Sequence, residues 1–156
     1  MPSSRRRTEP DGGFLVSAVR ADARVRAVTR IRLSYADTDP AGLIYYGSWF
    51  AWMERLSTEW MFAEGFRYDR MLAEHGASQV TRSTQCEYLL PTAVYDEIDI
   101  ELRVPRVGVR SYDFGYTMVR SADGDVVARS TLSLVTVDAH GRPTTLPATL
   151  RAVLEG

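Results

Sequence analysis

Two aspartates one residue apart, Asp37 and Asp39, are followed by Pro40, Ala41 and Gly42 and then by adjacent tyrosines, Tyr45 and Tyr46. This segment stands between a strand-like run and a long apolar run of helical spacing. A carboxylate placed just before a helix start is suited to attack a carbonyl held by the helix's unpaired N–H groups, or to activate water against it. That geometry serves acyl transfer. The other common work of an aspartate in this position is to cap the turn ahead of the helix. Gly42 permits close backbone approach or a positive φ.

The elements that must hold this loop are legible around it. Ala27 to Ala36 reads as a strand, with Val28, Ile31, Leu33 and Tyr35 supplying β-branched and aromatic residues. Ser48 is the expected cap of the following helix, in which Trp49, Trp52, Met53, Leu56, Trp60 and Ala63 recur at helical spacing. Phe50, Met61 and Phe62 widen the apolar stripe, which predicts a helix covered on several sides. Gly65 is its expected stop. A short second helix is expected over Asp69 to Glu74. Four strands follow, over Ala77–Leu90, Ile98–Val104, Arg110–Arg120 and Asp125–Val137, and a short terminal helix over Pro147–Leu154. Gly108 marks one tight connection, and Asp123-Gly124 predicts a hairpin turn with positive φ at both residues. Hairpin-linked strands exclude a parallel sheet with helical crossovers. The order is that of an α+β chain, an antiparallel sheet wrapped around one long central helix.

The 156 residues are 45% hydrophobic and 25% charged, enough for one domain with a core over residues 27–156. Residues 1–26, with Arg5-Arg6-Arg7 and Gly12-Gly13, read as a flexible Arg-rich arm. All basic residues are arginine, and the net charge of −1 gives no field to recruit nucleic acid. No apolar run is long enough to span a membrane and no signal core follows the arginines, so a cytoplasmic location is the default. A single cysteine, Cys86, and two histidines, His75 and His140, predict no disulfide and no metal site; all three read as structural. No Gly-x-Ser-x-Gly elbow, phosphate loop or dinucleotide fingerprint is present, and no cofactor is expected.

The run from Tyr35 to Tyr46 resembles the start of the 4-hydroxybenzoyl-CoA thioesterase branch of the hot-dog superfamily, in which an Asp-x-Asp-x-x-Gly loop precedes the central helix. The resemblance covers roughly residues 30–137. It implies that Asp39 is the catalytic carboxylate, as nucleophile or as general base, and that Asp37 braces the loop. It also implies that the Tyr46 backbone N–H, at the helix start, binds the thioester oxygen. Tyr46 occupies a position that is histidine in many members and tyrosine in the hydroxybenzoyl-CoA type. Gly42, Tyr45 and Trp49 are then candidates for substrate contact, although Tyr45, Tyr46 and the three tryptophans also suit aromatic packing. Arg110 falls where the hydroxybenzoyl-CoA type carries a basic residue, and Arg106 is close to it in sequence; both are candidates for coenzyme A phosphates. Glu54 is the rival carboxylate, since other hot-dog thioesterases take theirs from the helix; a pair with Arg55, or with a charge of a neighbouring subunit, is its plainer reading. The implied substrate is an acyl-CoA or acyl-carrier-protein thioester. The implied assembly is a homodimer, or a tetramer built from two dimers, with sheets joined at their edges. The alternative is a non-catalytic binder of acyl thioesters, against which the retained Asp39 argues.

Overall fold

In the computed structural model, which describes residues 23–156, five antiparallel strands form one sheet around a long helix. The strands are β1 (Val25–Arg32), β2 (Ser78–Tyr88), β3 (Glu97–Val107), β4 (Ser111–Arg120) and β5 (Val126–Val137), in the order β1-β3-β4-β5-β2. The long helix α1 (Ser48–Ala63) lies between β1 and β2 in sequence, followed by the short α2 (Met71–His75); α3 (Ala148–Glu155) ends the chain.

Strict alternation makes the sheet two-faced. Ile98, Ile100 and Leu102 of β3, with Tyr112, Phe114, Tyr116 and Met118 of β4, are fully buried on the inner face. Trp49, Met53, Leu56 and Trp60 of α1 lie along one helix face and pack on them, with Trp60 edge-to-face on Phe114 at 5.8 Å. The outer face carries ion pairs instead: Arg30–Asp99, Arg32–Glu97, Arg103–Glu101 and Arg106–Asp113. The most exposed of them, Arg32–Glu97, contributes little stability, while Arg103–Glu101 is largely covered; together they mark that face as the polar side. Burial pushes the Tyr112 and Tyr116 hydroxyls far above the ordinary phenol pKa, and Tyr68 up to about 12, so all three stay neutral.

Several expectations are corrected. The first strand begins at Val25 and ends at Arg32, because Ser34 then caps a 3-10 turn over Tyr35–Asp37. Residues 1–22 of the expected arm lie outside the described residues; Val25 already pairs with Arg103 in β1, and Arg26, at the bulge that follows, donates its guanidinium to the Leu154 carbonyl at 2.7 Å. The second helix is shifted to Met71–His75. In the β4–β5 turn Gly124 alone takes positive φ, 78°, while Asp123 uses its carboxylate to accept from Asp125 N–H and Arg120. Among the described residues α1 is not covered on every apolar side: Phe62 is 61% exposed. Gly65, at φ 91°, does end the helix.

The topology creates the site. β2 and β3 are consecutive in sequence but belong to opposite halves of the sheet, so Leu89–Asp96 must cross the ends of β5 and β4. The crossing is pinned at each strand it passes. Leu89 and Leu90 N–H donate to Val127 of β5. The Arg120 guanidinium of β4 donates to the Pro91 carbonyl at 2.6 Å. Tyr95 N–H donates to Leu33, just past β1, and Leu33 N–H returns the bond to Asp96. Tyr95 takes φ 72°, a left-handed conformation unusual for an aromatic residue, as the chain turns into β3.

Candidate active site

The loop from Asp37 to Gly47 lies on this crossing. Ile44 N–H donates to the Thr92 carbonyl at 2.9 Å, and Leu43 pairs with Ala93. Asp37 is its brace. One carboxylate oxygen accepts from the Ser34 N–H and hydroxyl, both at 2.8 Å; the other accepts from the Trp52 indole N–H at 3.1 Å. Its carbonyl accepts from Tyr45 N–H and the Ser48 hydroxyl. Asp37 thus ties the end of β1 to both the start and the second turn of α1.

Partial burial pushes the Asp37 pKa up, but the bonds from Ser34 and Trp52 and the charge of Arg55 outweigh it and hold the carboxyl below its ordinary value. The stabilisation from this depressed pKa is present above the unfolded-state value, about 3.9, and is lost as pH falls through the lower folded value. Asp37→Ala is expected to destabilise the fold by about 2 kcal/mol, given the charged bonds removed. Asp37→Asn should flatten the acid limb of a melting-temperature titration below about pH 4.

Asp39 is placed differently. Its N–H donates to Leu43, its carbonyl accepts from Gly42 N–H, and Oδ1 accepts from Ala41 N–H at 2.8 Å. The turn-capping role is therefore real, yet it uses one carboxylate oxygen. Oδ2 has no partner among the described residues. Gly42 follows at φ 77°, the backbone reason for glycine there.

The helix start differs from expectation in a way that bears on the chemistry. Ser48 does not cap α1. It is the first helical residue, Gly47 is the N-cap, and the Ser48 hydroxyl is spent on Asp37. Tyr46 sits two residues before the helix, in the turn closed by Ser48 N–H on the Tyr45 carbonyl at 2.8 Å. Among the described residues no main-chain carbonyl accepts from the Tyr46 or Gly47 N–H. Two adjacent backbone donors therefore stand open beside the Asp39 loop. The Tyr45 ring packs on Tyr46 at 4.6 Å and covers Gly47, where an added Cβ would come within 2.6 Å of it.

A cavity of about 290 Å3 opens beside this turn, lined by Leu43, Ile44, Tyr46 and Trp49 on the loop and helix side and by Tyr88 to Thr92 with Val127 opposite. The Tyr88 hydroxyl donates to the Tyr46 carbonyl at 3.4 Å. Trp49, 1% exposed, is at once core and cavity floor. The sequence reading missed the wall from Tyr88 to Thr92, which is some forty residues away in the chain; nothing local marks it, because the crossing alone brings it to the loop.

Arg106 and Arg110 are not brought to this site. Arg106 is engaged in two bonds to the Asp113 carboxylate, at 2.6 and 2.7 Å, and one to Ser111; the Asp113 bond raises its pKa. Arg110 is exposed in the β3–β4 turn. That turn lies at the far end of β3 from the loop, about 33 Å away at the usual rise per strand residue. Glu54 does not pair with Arg55 either. It accepts from the Thr58 hydroxyl at 3.1 Å, while Arg55 stacks over Trp52 at 5.2 Å.

Comparison with known proteins agrees with this architecture. The family profile described as the thioesterase-like superfamily matches residues 33–154. The chain belongs to that superfamily. It is a thioester hydrolase of the hot-dog fold. The acyl-CoA thioester hydrolase YbgC of Escherichia coli O157:H7 is 28% identical over 123 residues, covering 78% of this chain and 90% of that protein. The acyl-CoA thioesterase YbgC of Haemophilus influenzae is 23% identical, covering 78% and 89%. Among solved structures, a 1,4-dihydroxy-2-naphthoyl-CoA thioesterase from Synechocystis superposes with a TM-score of 0.74 at 14% identity, covering 81% of this chain and 93% of that one. A 4-hydroxybenzoyl-CoA thioesterase mutant bound to 4-hydroxybenzoyl-CoA superposes with a TM-score of 0.73 at 19% identity, covering 82% and 97%. These last two likenesses concern the fold.

Proposed function

We propose that this thioester hydrolase acts on an acyl-CoA or acyl-carrier-protein thioester, with Asp39 as the reacting carboxylate and the Tyr46 N–H as the donor to the thioester oxygen. One observation carries the reading: a carboxylate with one oxygen free sits on the same short loop as two open backbone donors, beside an apolar cavity. The carboxylate either attacks the carbonyl carbon, expelling thiolate and leaving a mixed anhydride that water cleaves, or takes a proton from the attacking water. In both routes the developing oxyanion is met by preorganised N–H groups, each of which contributes about 3 kcal/mol in comparable sites. Gly42 sets the turn, Tyr45 backs the donor turn, and Trp49 floors the acyl cavity.

The assembly we infer is a dimer joined through β2, or two such dimers. β2 is an edge strand of eleven residues with a long exposed run, and it contains no proline. The opposite edge, β1, is shorter, at eight residues, and carries Arg30 and Arg32; each edge has one bulge, at Arg82 in β2 and at Arg26 in β1. Arg110 would then meet a phosphate only of a ligand held by another copy.

Thiol release from aromatic, short-chain and long-chain acyl-CoAs tests the substrate, and light scattering tests the assembly at twice or four times 17.5 kDa. Release from none of the panel would move carrier-bound thioesters forward. Binding of both carriers without turnover would favour the binder, and a monomeric mass would sink the edge-paired assembly.

A further inference from the structure

We propose that Thr92 is a specificity-determining residue, whose hydroxyl bonds a hydroxyl or keto oxygen on an otherwise uncharged acyl group seated in the cavity. The inference rests on the thioesterase reading above and says which acyl groups that site prefers.

The cavity sets the bounds. At roughly 30 Å3 for each water-sized group, 290 Å3 holds on the order of ten non-hydrogen atoms. No acidic or basic side chain lines it. An acyl group ending in a carboxylate or an amine would lose hydration there and gain no partner. The acyl group is therefore a ring or a medium chain without charge.

Three lining residues carry a side-chain hydroxyl: Tyr46, Tyr88 and Thr92. Tyr46 and Tyr88 are 58% and 48% exposed and reach water. Thr92 is 1% exposed, and its Oγ1 has no hydrogen-bond partner among the described residues. Buried hydroxyls are nearly always bonded, so an unpaired one calls for a cause. Valine would fill the same volume with no polar atom to satisfy. The residue is also firmly placed, since its carbonyl accepts from Ile44 N–H and its neighbour Ala93 pairs with Leu43. As it stands the hydroxyl is closed to solvent and to the open cavity alike, so bonding a ligand there requires χ1 to turn to another staggered position, a change that leaves that backbone in place. A site built to bond a substrate oxygen discriminates strongly against the analogue that lacks it, whereas a purely apolar pocket does not.

The test compares matched thioesters differing by one oxygen: octanoyl-CoA with its 3-hydroxy and 3-oxo forms, and benzoyl-CoA with its three hydroxy isomers. Wild type should favour at least one oxygenated member over its twin by about tenfold or more in kcat/KM. Thr92→Val should bring that ratio close to one and keep hydrolysis of the unsubstituted twin; Thr92→Ser should retain the preference. An unchanged ratio in Thr92→Val, or no preference in wild type, overturns the proposal. If Thr92→Val does not fold, Thr92→Ala makes the same comparison. Calorimetric binding of the matching non-hydrolysable thioethers separates the two readings. A Thr92-dependent binding preference without any thiol release sinks the hydrolytic reading and leaves this one standing. Thiol release with no preference does the reverse.

Discussion

Asp39→Asn is expected to lower thiol release by about 10²-fold or more, the scale of a lost general base or nucleophile. Asparagine is the informative choice because its side-chain oxygen can still accept the Ala41 N–H that Oδ1 accepts in the wild type. The turn from Asp39 to Gly42 should therefore survive, and the melting temperature should stay within a degree or two. Loss of turnover with the fold intact would separate reaction from turn capping, the two roles that Asp39 combines. The loss should fall on kcat, since the cavity walls and the open donors at Tyr46 and Gly47 are untouched. Full activity in the mutant would remove Asp39 from the chemistry. Glu54, held by the Thr58 hydroxyl on α1, would then be the carboxylate to replace.

The contrast with Asp37 shows why two similar residues play different parts. Both are half-buried and both sit in the loop. Asp37 has both oxygens engaged, by Ser34 and Trp52, and its main chain holds the helix entry. A carboxylate saturated with donors is stabilised as an anion and is a poor nucleophile or base. Asp39 keeps an oxygen free and lies two residues nearer the open donors in sequence.

Much of this was legible in the sequence where a single periodicity decides it. The alternation from Ile98 to Leu102 and from Tyr112 to Met118 fixes which side chains meet the helix, and Ile98, Ile100, Leu102, Tyr112, Phe114, Tyr116 and Met118 are all buried; Val104, next in the series, is partly so. The helical spacing of Trp49, Met53, Leu56 and Trp60 gives the matching face. The loop motif located Asp37, Asp39 and Gly42 because its residue types are bound to local turn geometry. What sequence could not show is what depends on distant chain. Ser48 reads as a cap by type, but Asp37, eleven residues back, claims its hydroxyl. Phe62 widens the apolar stripe of α1, yet the described residues leave it 61% exposed. The wall from Tyr88 to Thr92 enters the site only because β3 returns beside β1 and the connection must cross the strand ends. Arg106 and Arg110 follow the same rule in reverse: proximity in a motif does not bring the far end of a 33 Å strand (about ten residues at 3.3 Å each) to the loop.

Trp49→Ala is expected to be the most destabilising single change at the site, at about 3–5 kcal/mol, the usual range for a large buried aromatic cut to alanine. The tryptophan is 1% exposed and belongs to the core cluster while also flooring the cavity. For a chain of this size each kcal/mol lowers the melting temperature by roughly 2–4 °C, so a fall of about 10 °C should be read in a thermal melt. Activity would fall too, but through loss of the helix start, because Trp49 lies directly after Ser48 and the turn that presents the Tyr46 and Gly47 donors. Trp49→Phe separates these effects. It keeps an aromatic floor, and should recover most of the stability while enlarging the cavity. If Trp49 shapes the acyl site as well as the core, the preferred acyl group should shift toward bulkier members of the panel in that variant. An unchanged preference would leave Trp49 as core alone, and a melting temperature unmoved in Trp49→Ala would contradict the packing of α1 on the sheet.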